Sequence, residues 1–411
     1  MSASGGKSGE FVRGWRVLLG CMVGVSLGIA ALPFYTAGVF VKALEGEFGW
    51  TRDQIALGAL ASTFAGALTS PVIGALVDRY GVRMPAVGGL LFVALGFLAL
   101  SRMPGAIGVY IGIQLAMSVL ASGSSSITFT RVVNAWFDRG RGLALGLTLA
   151  GTGLTATFAP RLISGVVDEQ GWRMGYLALA ITAATAAPVV FLLLGARSER
   201  FSPDGDARAA PSGLTLSEAL RDPILWRLAP TFLVLAAAVA GWVLHLVPML
   251  VDGGMSPAQA AGLQGALGLS VLAGRLITGY LADHLFAPRL GGAILCLSAA
   301  GLAALALGGP AYALAAAIAL GLALGAEVDL IGYLTARYFG LKGYGGIYGL
   351  QYGAFIVGAG LSPVLIAAAA RSEAGYTTAM ACSIAAILAA AAMLATAPPF
   401  PTSPRNPAPD A

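Results

Sequence analysis

Charged residues are scarce in this sequence: Asp, Glu, Lys and Arg together make up 10% of its 411 residues. A soluble domain usually has about 25%, so the chain has too few charges to cover the two or three soluble domains that its length would suggest. Hydrophobic residues make up 57%, and the 57 glycines suit membrane helices, whose backbones approach closely where residues are small. The composition excludes a soluble protein and indicates a membrane protein.

Cysteine and histidine are also rare, with three and two residues respectively. Cys21, Cys296 and Cys382 each lie alone in an apolar run, which excludes a disulfide framework and a metal cluster. The phosphate-binding motif GxxxxGKS/T and the zinc-protease motif HExxH are absent, and the serine-nucleophile pattern GxSxG occurs as GVSLG, inside a predicted helix. The net charge of +5 includes no basic run with interleaved aromatic residues. We therefore expect no enzyme activity, no metal or other cofactor, and no nucleic-acid partner.

Twelve long apolar runs account for most of the chain. A helix that crosses a bilayer needs about 20 mostly apolar residues, and each run is close to that length or longer. The runs are 15–41, 54–77, 84–101, 105–130, 142–166, 173–195, 224–250, 257–282, 288–307, 310–335, 345–369 and 376–396. The first run is too long for a signal peptide, so we expect it to remain as the first helix. The predicted fold is an all-α integral membrane protein with twelve transmembrane helices.

The basic residues give the predicted orientation, because Lys and Arg accumulate on the cytoplasmic side of a membrane protein. With the N-terminus inside, 17 of the 24 Lys and Arg residues flank cytoplasmic segments, six flank the opposite side, and Arg275 lies within the eighth run. Both termini are therefore predicted to be cytoplasmic. The composition of residues 196–223 indicates a flexible linker between an N-terminal six-helix bundle (1–195) and a C-terminal one (224–396), followed by a cytoplasmic tail (397–411).

Two segments of the first half recur in the second. GALVDR, from Gly74 to Arg79, recurs as GYLADH from Gly279 to His284, at an offset of 205 residues. GLALGL, which begins at Gly142, matches GGIYGL, which begins at Gly345, at an offset of 203. Repeats at nearly equal offsets predict two pseudo-symmetric six-helix bundles. Transporters built this way bind substrate near the midplane between the halves and alternate its access by rocking them.

The loop after the second run carries a family resemblance. GALVDRYGVR, from Gly74 to Arg83, resembles the signature loop of the major facilitator superfamily, and its second copy lies where that superfamily often has one. The resemblance implies a cytoplasmic gate that must break when the inner side opens. Asp78 is expected near the N-terminus of a neighbouring helix, and Arg79 and Arg83 beside acidic or carbonyl partners. In the second copy His284 replaces the arginine, which implies a weaker contact. The gate residues on this interpretation are Gly74, Asp78, Arg79, Gly81, Arg83, Gly279 and Asp283.

A second, narrower resemblance lies around the fifth run. WFDRGRGLALGLTLAGTG, from Trp136 to Gly153, resembles the fifth-helix signature of monocarboxylate transporters and their bacterial oxalate/formate antiporter relatives. GWRV from Gly14, EFGWTR from Glu47 and HLVPMLVDGG from His245 resemble the bacterial members. The resemblance implies small organic anions as substrates, and its bacterial features favour a bacterial inner membrane. We also expect a monomer.

Four ionisable residues lie inside predicted helices, where each costs at least roughly 2.5 kcal/mol at a helix centre unless it is paired or solvated. They are Arg275, Glu327, Asp329 and His245. Arg275 lies where monocarboxylate transporters and oxalate/formate antiporters carry their substrate-binding arginine, and a guanidinium can hold a carboxylate with two parallel hydrogen bonds. The alternative is a permanent ion pair with the tenth helix.

Glu327 and Asp329 are predicted to lie at a depth similar to that of Arg275. Because two residues correspond to about 200° of helix rotation, one of the two is expected to face the cavity. We predict that this carboxylate pairs with Arg275 when the site is empty and takes a proton when a substrate carboxylate displaces it. Alternatively, either acid is a fixed anchor between helices.

Further polar contacts to the substrate are predicted from four residues able to form hydrogen bonds, Tyr35, Tyr352, Gln351 and Tyr333. His245 is a candidate polar contact or proton relay. The tyrosines and the histidine have structural alternatives, since aromatic residues in membrane helices commonly serve packing or anchoring.

Three positions depart from the patterns of these families. Tyr35 stands where the animal monocarboxylate transporters have a lysine, and Val271 stands where they have an acid. Phe355 stands about where oxalate antiporters carry a second cation. A dicarboxylate would therefore meet one fixed positive charge, which makes oxalate a poor candidate.

Together these features predict a secondary active transporter that moves a small monocarboxylate by alternating access, coupled to protons. The alternatives are an anion exchanger of the oxalate/formate type and a drug or metabolite exporter of the same superfamily, which would not depend on Arg275. A non-transporting membrane sensor is a further alternative. The expected partners are the substrate, protons or a counter-anion, and the lipid bilayer.

Overall fold

The computed structural model describes residues 7–195 and 212–401. Most of these residues are helical, and the isolated bridge between Gly213 and Gly340 is antiparallel. Residues 196–211 of the predicted linker and 402–411 of the predicted tail lie outside the described residues.

Within the described residues, each half contains six crossings. The first half contains α1 (Lys7–Leu27 and, after a break, Leu32–Phe48), α2 (Arg52–Tyr80), α3 (Arg83–Ser101), α4 (Ile107–Leu120 and Ser126–Trp136), α5 (Arg141–Gln170) and α6 (Trp172–Leu194). The second half contains α7 (Pro223–Val239 and Trp242–Asp252), α8 (Pro257–Ala282), α9 (Ala287–Gly308), α10 (Ala313–Phe339), α11 (Tyr344–Ala370) and α12 (Tyr376–Ala395).

Eleven continuous helical segments among the described residues are long and apolar enough to cross a membrane. One of them, Ala287–Phe339, has 53 residues and would be about 80 Å long, more than twice the thickness of a bilayer core. It consists of α9 and α10 joined by the 3-10 turn Gly309–Tyr312, so it crosses twice. The prediction of twelve crossings in an all-α membrane fold is confirmed.

The two ends of the helix bundle can be distinguished by the connections they carry. We call the end where α6 finishes at Leu194 and α7 begins at Pro223 the linker end, and the opposite one the far end. Odd-numbered crossings run from the linker end to the far end, and even-numbered ones run back. The N-termini of α5 and α11 and the C-termini of α2 and α8 therefore all lie at the linker end.

The α1 break occurs where α1 meets α4. A Cβ on Gly28 would lie 2.1 Å from the carbonyl oxygen of Ser124, so only glycine allows this approach. The Ser124 hydroxyl accepts a hydrogen bond from the backbone N–H of Ile29 at 3.1 Å. Broken membrane helices persist where such contacts satisfy the freed backbone groups.

The described part of the predicted linker is ordered against the second half. Residues 212–220, which we call the strap, lie on the α10–α11 loop. Leu214 N–H donates to the carbonyl of Phe339 at 2.8 Å, and Gly343 N–H donates to the carbonyl of Leu214 at 2.9 Å. The composition of this segment predicted flexibility, but the backbone groups of the loop hold its last part in place.

Candidate functional site

An ion pair lies inside the membrane-spanning part of the second half. The Nη1 of Arg275, on α8, donates to Oδ1 of Asp329, on α10, at 3.2 Å. Both residues are buried, with exposed fractions of 8% and 3%. Glycines bring the two helices together, because a Cβ on Gly325 would lie 2.3 Å from the carbonyl oxygen of Val271. The pair is therefore built into a close helix crossing.

Several polar atoms at this pair have no hydrogen-bond partner among the described residues. They are Nε of Arg275, Oδ2 of Asp329 and both carboxyl oxygens of Glu327. A buried polar group without a partner is destabilising, and an unpaired buried charge far more so. The site therefore offers donors and acceptors that a bound ligand or proton can use.

Glu327 and Asp329 have different surroundings despite their closeness in sequence. Asp329 faces Arg275, whereas Glu327, about 200° further around α10, is 1% exposed and forms no hydrogen bond among the described residues. The sequence predicted that one of the two faces the cavity. In this conformation both are buried, so neither carboxylate is open to solvent.

A stack of aromatic rings on α11 runs from this pair towards the linker end. The ring centroids of Tyr344 and Tyr348 are 5.6 Å apart, those of Tyr348 and Tyr352 are 5.5 Å apart, and Phe355 follows at 5.8 Å. Tyr352 is 8% exposed and lies within electrostatic range of both Arg275 and Tyr35. Tyr352 therefore lies near Arg275, and Tyr35 lies near Tyr352.

Gln351, also predicted to contact substrate, points to a neighbouring helix of its own half. Its Nε2 donates to the Thr335 hydroxyl of α10 at 3.0 Å, and the residue is fully buried. Its Oε1 has no hydrogen-bond partner among the residues that the structure describes. Gln351 thus joins α11 to α10 beside the site.

Tyr333 lies one turn nearer the linker end than Asp329. It lines a cavity of about 340 Å³ between the halves, together with Asp138, Arg139, Asp283 and Arg337. The sequence placed Tyr333 among the substrate contacts of Arg275. Its neighbours are instead charged residues at the linker end, of which Asp283 belongs to the gate, because one further helical turn carries its side chain past the ion pair.

His245 is held by the two last helices of its bundle. Its Nδ1 lies 3.2 Å from the hydroxyl of Tyr376, and its Nε2 lies 3.0 Å from the carbonyl oxygen of Pro363. A neutral imidazole with its proton on Nε2 satisfies both contacts. This geometry favours a structural role for His245, in which its hydrogen bonds connect α7 to α11 and α12.

Asp78 forms the gate contact of the first repeat. Its two carboxylate oxygens accept hydrogen bonds from the backbone N–H groups of Gly345 and Gly346, each at 3.0 Å. These N–H groups belong to the first turn of α11, where the positive end of the helix dipole favours an anion. Arg131 of α4 adds an ion pair, with its Nε 2.8 Å from Oδ1 of Asp78.

Asp283 makes the same contact in the second repeat. It accepts hydrogen bonds from the N–H groups of Gly142 at 2.7 Å and Leu143 at 3.3 Å, at the start of α5. Each repeat therefore caps a helix of the other half. The sequence predicted a weaker second contact because His284 replaces the arginine; nevertheless, both carboxylate oxygens of Asp283 are engaged.

Glycines allow the halves to touch at the linker end. A Cβ on Gly74 would lie 1.9 Å from the carbonyl oxygen of Gly345, and a Cβ on Gly142 would lie 2.2 Å from that of Gly279. Both crossings are contacts of backbone on backbone, with no room for a side chain. In this structure the linker end is sealed.

The other residues of the loop signature act within the first half. Arg83 donates to the carbonyl oxygen of Phe191 from Nε at 3.2 Å and Nη2 at 3.1 Å, and its guanidinium lies 3.5 Å from the centre of that ring. Arg79 is exposed and lies 5.3 Å from the ring centre of Tyr80. Gly81 has a φ of 83°, which favours glycine. Arg83 thus has the expected carbonyl partner, and Arg79 packs on an aromatic ring.

Two contacts at the linker end were missed in the sequence, one within the first half and one between the halves. Arg131 was counted only among the loop charges, and nothing in the sequence pairs it with Asp78. Asn134 of α4 donates from Nδ2 to the Tyr344 hydroxyl at 3.1 Å. The four-residue spacing of the α11 tyrosines was the available signal, since it places them on one helix face.

Comparison with known proteins identifies chains that are similar in sequence or in fold. The family model described as Major Facilitator Superfamily matches residues 23–339. Monocarboxylate transporter 13 of Bos taurus is 28% identical over 279 residues, which cover 67% of this chain and 63% of that protein. The match thus spans less than two thirds of that relative.

Two solved structures share the fold. A bacterial homologue of the iron transporter ferroportin, in an outward-facing state, superposes with a TM-score of 0.72 at 15% identity over 93% of this chain and 98% of that one. The human organic anion transporter MFSD10 (TETRAN) superposes with a TM-score of 0.68 at 14% identity over 94% and 99%.

Proposed function

Since the chain belongs to the Major Facilitator Superfamily and is a transporter rather than an enzyme, we propose that it carries a small monocarboxylate together with a proton by alternating access. The observation that carries this proposal is the buried ion pair of Arg275 and Asp329, beside a seal between the two halves. A relative named as a monocarboxylate transporter and a structural neighbour named as an organic anion transporter support the same substrate class.

Arg275 is the substrate clamp in this proposal. Its guanidinium uses one Nη for Asp329, and its Nε is left without a partner among the described residues. A substrate carboxylate can accept two parallel hydrogen bonds from the same guanidinium. Beyond Tyr352, α11 offers the ring of Phe355. The part of the substrate beyond its carboxylate then contacts aromatic rings. Such a surface favours a substrate with one carboxylate over a substrate with two.

In this proposal Asp329 couples proton movement to substrate movement. When a substrate carboxylate takes Arg275, Asp329 loses its counter-charge in a buried site and is stabilised by taking a proton. The substrate anion and the proton then cross together without net charge. After release of the substrate, Asp329 gives up its proton and pairs with Arg275 again. Glu327, buried and without a partner in the described part of the chain, is the alternative proton carrier, in place of Asp329 and not in addition to it.

The orientation follows from the distribution of basic residues. We place the linker end and both termini in the cytoplasm of a bacterial inner membrane, with the protein as a monomer. The conformation with Asp78 and Asp283 both engaged is then the one closed to the cytoplasm. Separation of these contacts opens the site to the cytoplasm, and closure of the far end completes the cycle.

The test is uptake of radiolabelled acetate, lactate, pyruvate, a longer 2-hydroxy acid and oxalate into proteoliposomes, with and without an inward proton gradient. We expect the gradient to stimulate uptake of a monocarboxylate by the wild type, and Arg275→Ala to abolish it. If uptake occurs only into vesicles preloaded with another anion, the protein is an anion exchanger of the oxalate/formate type. No flux of any acid supports the exporter, and binding without flux supports the sensor.

A further inference from the structure

The hydroxyl of Tyr348 is an unexplained polar group in the middle of the aromatic stack on α11. The residue is fully buried, and its hydroxyl makes no hydrogen bond of normal length and angle among the described residues, although it interacts electrostatically with the Thr130 side chain of α4. The rings of Tyr344 and Tyr352 both stack on its ring. Such a group is costly in this state, and a partner gained in another state of the protein would favour that other state.

The ring of Tyr348 packs against α10 within one turn of Asp329. A Cβ on Gly332 would lie 3.4 Å from Cε2 of Tyr348, the ring atom next to the one that carries the hydroxyl. Gly332 is three residues after Asp329, so the two lie on one face of α10. Asp329 is also within electrostatic range of Tyr348. Because Gly332 has no side chain, the ring of Tyr348 can pack against α10 close to Asp329.

Asp329 has an unused acceptor that matches this unused donor. Its Oδ1 accepts from Arg275, whereas its Oδ2 is buried and without a partner among the residues described. A donor and an acceptor are thus both unsatisfied on adjoining turns of two packed helices. Because both lack a partner here, we expect the Tyr348 hydroxyl and Oδ2 of Asp329 to form a hydrogen bond in another state of the site.

We propose that Tyr348 is the second hydrogen-bond partner of Asp329, and that the Asp329 carboxyl passes from the Arg275 guanidinium to the Tyr348 hydroxyl when a substrate carboxylate binds Arg275. Tyr348 is then a positioning residue, which acts on the substrate through Asp329. The inference rests on the Arg275 clamp of the proposed function. It does not depend on proton coupling, because a phenol can donate to a carboxyl oxygen whether Asp329 is ionised or protonated.

The exchange of partners takes place at the interface that has to open. Tyr348 stacks on Tyr344, whose hydroxyl accepts from Asn134 of the first half at 3.1 Å. The site and the seal are therefore connected through two stacked rings. Tyr344→Phe provides a matched control, since it removes the same atom from the same stack but from a hydroxyl that accepts from Asn134 and donates to the carbonyl oxygen of Gly332 at 3.4 Å.

The test is a double-mutant cycle on equilibrium binding to the purified full-length protein, measured by scintillation proximity. The probe is whichever of labelled acetate, lactate and pyruvate the wild type takes up fastest. Tyr348→Phe should raise the Kd about tenfold, because the displaced Asp329 loses its new partner. In an Asp329→Ala background the same change should alter the Kd by less than about twofold. Tyr344→Phe should have the same effect in both backgrounds.

A second readout does not need the Asp329 variant to fold. Infrared difference spectra on addition of the unlabelled acid should show a carboxyl band that moves in Tyr348→Phe and stays in place in Tyr344→Phe. An unchanged Kd for Tyr348→Phe, a tenfold loss that persists in Asp329→Ala, or an unmoved band overturns the inference. Wild-type protein that binds no acid overturns the proposed function as well, so the two failures are distinguishable.

Discussion

Asp78 and Asp283 occupy equivalent positions in the two repeats, and each carboxylate caps the N-terminus of a helix in the opposite half. Asp78 caps α11 and Asp283 caps α5. Both contacts lie at the linker end, and neither survives if the halves separate there. The sealed conformation is therefore stabilised symmetrically by charge at two helix N-termini.

Neutralising the first of these caps should open the linker end more than neutralising the second. Asp78 also pairs with Arg131 of its own half at 2.8 Å, and Asp78→Asn leaves this largely buried guanidinium without a counter-charge in the sealed state, whereas opening of the linker end exposes it to water. We expect Asp78→Asn to raise the ratio of linker-open to linker-sealed molecules by about fivefold to 30-fold, which corresponds to roughly 1–2 kcal/mol. Asp283→Asn should have a smaller effect in the same direction.

The measurement is the distance between spin labels across the linker end. Arg79→Cys in the first half and Arg289→Cys in the second provide exposed sites, once the three native cysteines are replaced by alanine. A larger population at long distance is expected in both variants, greatest in Asp78→Asn. Distance distributions identical to that of the parent would contradict the role of these caps.

A methyl group at the α2–α11 crossing should prevent the seal. A Cβ on Gly74 would lie 1.9 Å from the backbone oxygen of Gly345, so Gly74→Ala should lower the initial uptake rate at least about tenfold. Gly88 of α3 is the control, because a Cβ there meets nothing within 4 Å. Gly88→Ala should transport at the wild-type rate. Normal uptake by Gly74→Ala would show that the close crossing is not needed for the cycle.

The two members of the buried ion pair should differ in their effect on stability. Asp329→Ala leaves the buried charge of Arg275 unpaired and should cost about 3–5 kcal/mol. Arg275→Ala should cost less, since a carboxyl without its partner can take a proton. The double variant should be close to the wild type in stability and inactive in uptake.

Thermal unfolding of the purified variants, followed by size-exclusion chromatography, gives the order of stability. The expected order is Asp329→Ala lowest, Arg275→Ala next, and the double variant nearest the wild type. An additive loss in the double variant would mean that each residue is held by contacts other than the ion pair.

The strap should lose its order only in acid. Glu218 accepts hydrogen bonds from the backbone N–H of Thr215 at 2.7 Å and from its hydroxyl at 2.8 Å. These bonds, the backbone one foremost, hold the pKa of Glu218 below its usual range. Because the folded-state pKa is lowered, the stabilisation is fully present above the usual value of about 4.3 and is lost as the pH falls through the folded-state value.

Hydrogen exchange of the Gly343 amide, which donates to Leu214 of the strap, reports on this contact. After correction for intrinsic rates, its protection should be equal at pH 7 and pH 5 and decrease only below about pH 4. Glu218→Gln should remove this dependence on pH. Loss of protection between pH 7 and pH 5 would point to a different titrating group.

The sequence predicted the crossings well because apolar length is a local property. Run boundaries such as 84–101 against the observed Arg83–Ser101 differ by one residue, since the cost of a charge in hydrocarbon defines them. The extension of α1 to Lys7 and Phe48 was missed, because its ends are polar turns outside the apolar run.

Side-chain partners were predictable only in part. Arg275 and Asp329 were both identified, but the choice between Glu327 and Asp329 depends on the rotation of α10 against α8, which spacing alone does not give. Arg131 was hidden among other basic loop residues. The unsatisfied hydroxyl of Tyr348 is a property of three-dimensional packing, and it becomes visible only when Gly332 and the stacked rings are placed.

The central claim is that one carboxylate and one proton cross together through Arg275. The most direct measurement is the coupling ratio in proteoliposomes, obtained by opposing a gradient of the transported monocarboxylate with a series of proton gradients until net flux stops. The account predicts zero net flux when the two gradients are equal and opposite, and no gradient-driven flux in Arg275→Ala. The account would be contradicted if net flux stopped at the same concentration ratio of the acid whatever the proton gradient. It would also be contradicted if Arg275→Ala showed the same gradient-driven flux as the wild type.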